Sequence, residues 1–166
     1  MAAACDCDAR ISHVLRVGAE FTDERNYPTS PDLVYETLAI GDNGSANWGT
    51  FEEGPLGRGI TFMESALRES TSNRVLVHCQ AGQSRSGTVV VAYVMFKLHV
   101  GYAEALRYVQ ARRPVVDPSQ HEDTLLALEL NLARARLRPV MPRVVQGALY
   151  EQQPARPADS AAGSTR

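Results

Sequence analysis

The chain has 166 residues, 44% of them hydrophobic, and its 17 basic and 19 acidic side chains give a formal charge of −2. This size and apolar content fit one globular domain with a single core and exclude a disordered chain. The near-neutral charge offers no basic surface for nucleic acid, and no apolar run is long enough to cross a membrane, so neither partner is expected.

The first half of the chain alternates predicted strands with turns. Residues 11–17 are rich in branched side chains and predict a strand, and residues 33–40 predict a second one. A cluster of turn formers follows at residues 41–44. After a loop, the apolar spacing predicts a short amphipathic helix over residues 60–68.

The second half contains one more predicted strand and three helices. Residues 74–79 are almost continuously apolar, which predicts a strand in the centre of a parallel sheet. Helices are predicted over residues 86–98, 102–112 and 119–138, and the last of them opens on a capping box. Residues 139–166 shift to Pro, Ala, Gln, Ser and Arg without periodicity, which predicts an irregular to disordered tail.

Strands that alternate with helices predict an α/β fold in one domain over residues 1–138. We expect a central, mainly parallel twisted sheet flanked by helices on both faces. In such sheets ligands bind beyond the carboxyl ends of the strands. Cys79 ends the third predicted strand and Asp42 follows the second, so we expect both at the same rim of the sheet.

The loop at residues 78–87 joins the third strand to the next helix and surrounds Cys79 with small and polar residues. Such a loop directs consecutive backbone N–H groups at one point, where an oxyanion binds. The same N–H groups and the Arg85 guanidinium would favour the Cys79 thiolate, and Arg85 can hold two oxygens of a phosphoryl group. A cysteine that ends an apolar strand is usually a core residue. Arg85 and Ser86 at the strand-to-helix junction favour a nucleophile instead.

Cleavage of a phosphate ester also needs a proton donor for the leaving oxygen. Asp42 is the candidate because it follows the second strand and lies between glycines that allow a mobile loop. The alternative is that Asp42 is only a turn former in an Asp-Asn-Gly sequence. Asp23, Glu52 and Glu53 are the rival acids.

The spacing His-Cys-x5-Arg-Ser at residues 78–86 resembles the signature loop of the cysteine-based phosphatases. Together with residues 92–95, the loop is similar to the dual-specificity protein phosphatases in particular, and the likeness runs from about residue 11 to residue 137. The resemblance implies a phosphatase that hydrolyses phosphotyrosine and phosphoserine or phosphothreonine in proteins. It also implies a phosphocysteine intermediate, with no metal and no organic cofactor.

The resemblance assigns roles by matching position. Arg85 and the loop N–H groups would bind the phosphoryl oxygens, and Ser86 would stabilise the departing thiolate, although a serine that begins a helix can simply cap its own backbone. Asp42 would donate a proton and then act as base toward water. His78 and Ser119 would support the loop. The phosphate-binding loop would comprise Gln80, Ala81, Gly82, Gln83, Ser84 and Arg85.

Three departures from the family pattern bear on activity. A family strand expected before residue 11 has no counterpart, so we expect a fold without the N-terminal strand segment and with an unpaired sheet edge. Residues 51–60 look like a family helix with a Gly/Pro insertion, and Ser119 stands where many members have Asn. Two alternatives therefore stay open: a catalytically weak pseudophosphatase that binds phosphoproteins, and a phosphatase for non-protein phosphate esters. The neutral Gln80 and Gln83 favour protein substrates over inositol phospholipids.

The three cysteines, Cys5, Cys7 and Cys79, have neither the spacing of a disulfide framework nor that of a zinc site. A signature loop needs a reduced thiol, and the sequence shows no signal peptide. The expected location is therefore cytoplasmic or nuclear. The expected partner is a phosphoprotein substrate, and the sequence leaves the oligomeric state open.

Overall fold

The computed structural model of the chain describes residues 10–41, 47–51 and 53–137, and this part contains three strands, four α-helices and two short 3-10 helices. The strands are β1 (His13–Val17), β2 (Val34–Leu38) and β3 (Val75–His78). The helices are α1 (Pro55–Glu69), α2 (Arg85–Leu98), α3 (Tyr102–Gln110) and α4 (Glu122–Leu137), with 3-10 helices at Ala19–Thr22 and Ser119–His121. The predicted tail at residues 139–166 lies outside the described residues.

The sheet has the strand order β2-β1-β3, and both pairings are parallel. The prediction of a central third strand is wrong, because β1 is central and buried along its whole length. The apolar run in β3 has a different cause: Val75 and Val77 pack toward the core, while Leu76 points to the opposite face and is 44% exposed. Within the described residues the outer edge of β3 pairs with no strand. An apolar cavity of about 480 Å³ lies beside it, between β3, α2 and α3.

Helix α1 begins at Pro55, five residues before the predicted start of that helix. A proline fits the first helical position, where its missing N–H is not needed. Gly57 and Gly59, which precede the predicted start of the helix, are part of it. A Cβ at Gly59 would lie 2.9 Å from Leu38 Cδ1 and 3.2 Å from Val89 Cγ1, so the glycine lets α1 pack closely on the sheet and on α2.

The two following helices agree with the prediction to within two residues at each end. The last one differs at its start, because a 3-10 turn precedes α4 and the Ser119 hydroxyl makes no capping hydrogen bond. Instead, the Ser119 backbone N–H donates to Asp117 Oδ1 at 3.1 Å, so the predicted capping box is wrong. Helix α2 is the most buried helix, and α3 and α4 pack against it.

The prediction of an α/β fold with a parallel sheet flanked by helices is confirmed. Because all three strands run in the same direction, the segments after Val17, Leu38 and His78 meet at one rim. Among the described residues no single helix is long and apolar enough to cross a membrane. Helices α2 and α3 meet that test only as a pair, and the pair is bent by 116°.

Candidate active site

The loop from Cys79 to Ser84 connects β3 to the N-terminal end of α2. Gly82 has a φ of 66°, a left-handed conformation that glycine adopts at little cost. At the end of the loop the Ser84 carbonyl accepts hydrogen bonds from the Thr88 N–H (2.8 Å) and the Thr88 hydroxyl (2.9 Å). The loop is therefore tied to the first turn of α2.

The Cys79 thiol lies where polar groups of this loop converge. Its Sγ is 3.3 Å from the Ser86 hydroxyl, and backbone N–H groups of Ser86, Gly82 and Gln83 also reach it. Burial raises the pKa of the thiol, but the hydrogen bonds from Ser86, Gly82 and Gln83 outweigh burial and bring the pKa below its ordinary value. The surroundings therefore stabilise the thiolate, the nucleophilic form.

A small cavity of about 230 Å³ opens over this cysteine. Six residues of the predicted site line it, and they are Cys79, Gln80, Ala81, Gln83, Ser84 and Arg85. The seventh lining residue, Gln120, was not predicted. Polar groups make up most of this lining. A cavity of this size with convergent N–H groups suits a tetrahedral oxyanion.

The Arg85 side chain is 2% exposed and forms an ion pair that the sequence did not predict. Its Nη1 donates to both carboxylate oxygens of Glu20 at 2.9 Å, and Nη1 also lies 3.5 Å from the Ile40 carbonyl oxygen. Burial raises the pKa of Glu20, but the hydrogen bonds and charge of Arg85, together with a backbone N–H, lower it overall. Glu20 is therefore a carboxylate at neutral pH.

His78 is the last residue of β3, and its ring is in edge-to-face contact with the Phe21 ring, with the centroids 5.0 Å apart. Burial and the charge of Arg16 lower the pKa of His78, and a hydrogen bond between the ring and the Cys79 backbone only partly opposes them. The imidazole is therefore neutral near pH 7. His78 is not among the residues that line the cavity over Cys79.

Contacts from the segment between α3 and α4 hold the outside of the loop. Arg113 Nε donates to the Gly82 carbonyl at 3.2 Å, and the Asp117 N–H donates to the Gln83 carbonyl at 3.4 Å. Ser119, the predicted loop support, is exposed, and its hydroxyl makes no hydrogen bond to any described residue of the loop. In this structure Arg113 and Asp117 make the contacts that were expected of Ser119.

The general acid is the part of the predicted site that the structure does not describe. Asp42 and Glu52 both lie outside the described residues. Asp23 is in the loop after β1, where hydrogen bonds from Arg25 and Asn26 hold the pKa of its carboxyl below the usual value. An acid that readily stays ionised is a poor proton donor. Glu53 is exposed and does not line the cavity.

Sequence reasoning missed Glu20, Arg113 and Gln120. One signal was available for Glu20: it follows the end of β1, and the rule that ligands bind beyond strand ends was applied to only two of the three strands. For Arg113 and Gln120 the sequence offers no comparable signal. They are polar residues near helix ends, and only folding brings them next to residues 79–85.

Comparisons with known proteins give one consistent result. The sequence model described as the dual specificity phosphatase catalytic domain matches residues 4–131. Dual specificity protein phosphatase 1 of Arabidopsis thaliana is 34% identical over 110 residues, which are 66% of this chain and 50% of that protein. The chain thus spans about half the length of this curated relative.

Solved structures show the same likeness. A mouse putative dual specificity phosphatase complexed with zinc tungstate superposes with a TM-score of 0.63 at 26% identity, covering 76% of this chain and 75% of that one. The human tyrosine phosphatase-like serine/threonine/tyrosine-interacting protein superposes with a TM-score of 0.58 at 26% identity, covering 76% and 79%.

Proposed function

The chain belongs to the dual specificity phosphatase family, which supports a protein phosphatase activity, and on this premise we propose that it hydrolyses phosphotyrosine and phosphoserine or phosphothreonine through a phosphocysteine on Cys79. One observation carries the proposal: the Ser86 hydroxyl and three backbone N–H groups converge on Cys79 Sγ at an open polar cavity. A cysteine that only fills space in a hydrophobic core does not require hydrogen-bond donors around its sulfur.

In the first step the Cys79 thiolate attacks phosphorus and the ester P–O bond breaks. Arg85 and the loop N–H groups bind the phosphoryl oxygens as charge shifts onto them. Asp42 gives its proton to the leaving oxygen, so the product is a neutral alcohol or phenol. The phosphoryl group is then carried on Cys79.

In the second step water attacks phosphorus, Asp42 accepts a proton from it, and the S–P bond breaks. The sulfur leaves as a thiolate, which the Ser86 hydroxyl stabilises from 3.3 Å. Inorganic phosphate is released and Asp42 is again protonated for the next cycle. The reduced thiol that both steps require supports a cytoplasmic or nuclear location.

The assignment of Asp42 is supported by the residues that precede it. The Ile40 carbonyl lies 3.5 Å from Arg85 Nη1, so the chain leaves the end of β2 directly beside the phosphate-binding arginine. The described rivals fit less well, because Asp23 is held ionised by Arg25 and Glu53 is exposed away from the cavity.

Hydrolysis of p-nitrophenyl phosphate and of phosphotyrosine and phosphothreonine peptides tests the nucleophile. We expect Cys79→Ser to abolish turnover while phosphopeptide binding persists, because serine is a far weaker nucleophile and the N–H groups and Arg85 remain. Cys5→Ser and Cys7→Ser, the same chemical change elsewhere, should keep full activity. Turnover by Cys79→Ser would contradict the assignment. Phosphopeptide binding without hydrolysis by the wild-type chain would favour the pseudophosphatase.

A series of leaving groups tests the acid. Asp42→Asn should slow hydrolysis of alkyl phosphates by about 10²–10⁴-fold and of activated aryl phosphates much less, since a stable leaving group needs no proton. Asp23→Asn is the matched control and should leave the dependence on the leaving group unchanged. If Asp42→Asn slows every substrate equally, the proton comes from another group, and Glu52→Gln is the next variant to measure.

A further inference from the structure

The segment that follows β1 is fixed against both neighbouring strands. The Gly18 N–H donates to the Leu38 carbonyl at 2.9 Å, and the Ala19 N–H donates to the Ile40 carbonyl at 3.0 Å. Phe21 is buried, and its ring contacts His78, the residue before the nucleophile. The backbone of Glu20, which lies between these anchors, therefore has a defined position at the rim of the sheet.

From this position Glu20 holds one end of the Arg85 guanidinium. Both carboxylate oxygens accept hydrogen bonds from Nη1. The Glu20 side chain is 32% exposed and the Arg85 side chain 2%, so the pair lies at the edge of the protein interior. A guanidinium has five N–H donors in a rigid plane, and Nη1 carries two of them. Arg85 lines the cavity over Cys79 and Glu20 does not, so the ion pair restrains the arginine without filling the cavity.

Gly18 makes this contact sterically possible. A Cβ at residue 18 would lie 2.5 Å from Glu20 Oε2, 2.6 Å from Cδ and 2.7 Å from Oε1. The carboxylate therefore rests directly over the Gly18 backbone. The φ of Gly18 is 169°, which is extended backbone that any residue adopts. A side chain here would displace the Glu20 carboxylate without straining the main chain.

We propose that Glu20 is a positioning residue for phosphoryl binding, which orients Arg85 through Nη1, and that Gly18 provides the space the carboxylate needs. The inference rests on the proposed function, because it concerns how the same cavity receives a phosphoryl group. A long side chain that is already held in place loses less conformational freedom when the ligand binds. Without Glu20, Arg85 loses this restraint, and more of its side chain must be ordered when the ligand binds.

The test measures binding of sodium tungstate, a tetrahedral oxyanion, by isothermal titration calorimetry, and kcat and KM for p-nitrophenyl phosphate. The variants are Glu20→Ala, Glu20→Gln, Gly18→Ala and the double variant Gly18→Ala/Glu20→Ala. Glu24→Gln is the matched control, because Glu24 is exposed in the same loop and its side chain contacts no described residue through a hydrogen bond or ion pair. Thermal unfolding checks that each variant is folded.

We expect tungstate to bind roughly tenfold more weakly to Glu20→Ala and to Gly18→Ala, the size of one charge-assisted hydrogen bond. KM should rise and kcat should fall, since Arg85 contacts the phosphoryl group in both the ground state and the transition state. Glu20→Gln, which keeps one acceptor oxygen, should lie between Glu20→Ala and the wild type. The double variant should bind no more weakly than Glu20→Ala, because Gly18 acts only through Glu20.

Gly18→Ala keeps every charge and so tests the proposal even if removal of Glu20 unfolds the chain. Unchanged affinity in that variant, or tighter binding, overturns the inference, and tighter binding identifies Glu20 as a competitor of the oxyanion. An additive loss in the double variant also overturns it, because Gly18 would then act independently. If the wild-type chain neither binds tungstate nor hydrolyses the ester, the proposed function fails. If the wild type binds tungstate and the Glu20 variants bind it equally well, only this inference is overturned.

Discussion

At the scale of single residues, the contact between Cys79 and Ser86 is central to the proposed chemistry. The hydroxyl lies 3.3 Å from Sγ, and it lowers the pKa of the thiol against the opposing effect of burial. In the proposed mechanism a group that stabilises the thiolate serves two steps, because the thiolate attacks in the first and leaves in the second. We therefore expect Ser86 to contribute both to the ionisation of Cys79 and to the release of phosphate.

Replacing Ser86 by Ala should raise the pKa of Cys79, because the hydroxyl hydrogen bond that lowers this pKa most is lost while burial remains. The acid limb of kcat/KM, where the thiol must lose its proton, should then move to higher pH. At pH above the new pKa the thiolate fraction should match that of the wild type. The pH dependence of alkylation by iodoacetate measures this pKa directly.

Ser72→Ala is the control for this measurement, since Ser72 is exposed in the turn after α1. It should leave the alkylation profile where the wild-type profile lies. If the profile of Ser86→Ala coincides with that of Ser72→Ala, the hydroxyl does not stabilise the thiolate. The backbone N–H groups would then account for the whole lowering of the pKa.

At the scale of elements, α1 shows how packing overrides local propensity. Glycine is among the weakest helix formers, yet Gly57 and Gly59 both lie in the first turns of this helix. At Gly59 the reason is the close approach of Leu38, Val89 and Leu15, all of which are fully buried. The glycine therefore lowers the intrinsic helix propensity of α1 but lets the helix pack closer to β1, β2 and α2.

We expect Gly59→Ala to destabilise the fold by about 1 kcal/mol, even though Ala is the better helix former. The gain in propensity is about 1 kcal/mol, but a methyl group forced against the fully buried Leu38 and Val89 side chains costs about 1–3 kcal/mol. Urea denaturation monitored by circular dichroism measures the difference as a lower midpoint with an unchanged slope.

Gly57→Ala is the matched control in the same helix. Gly57 lines an open groove of about 490 Å³ with Arg58 and Thr61, so a methyl group there has space. This variant should be as stable as the wild type or more stable by up to about 1 kcal/mol. Equal stabilisation by both substitutions would show that close packing at Gly59 is not limiting.

At the scale of the whole molecule, the candidate site is assembled from separate parts of the chain at one rim of a parallel sheet. The loop after β3 supplies Cys79 and Arg85, the segment after β1 supplies Glu20, and the end of β2 supplies the Ile40 carbonyl. Arg113 supports the loop from the connection between α3 and α4. The parallel direction of the strands is the physical reason that these segments meet.

The order of elements, the parallel sheet and the loop around Cys79 could be predicted because the information for them is contiguous. Hydrophobic periodicity reports which face of an element is buried, and the small residues of the loop lie next to the strand and helix that frame them. The loop residues that line the cavity are accordingly those named from the sequence, from Cys79 to Arg85 without Gly82.

The position of β3 at the sheet edge, the early start of α1 and the contact of Glu20 with Arg85 could not be predicted. An apolar run reports burial and not which strand forms the neighbouring hydrogen bonds, so it left the strand order undetermined. Glycines that suggest a loop become helical when another element packs closely on them, as at Gly59. Glu20 and Arg85 are 65 residues apart in the chain, and no local pattern records such a pairing. It exists only because the fold brings the ends of β1 and β3 together, where a buried guanidinium requires a partner.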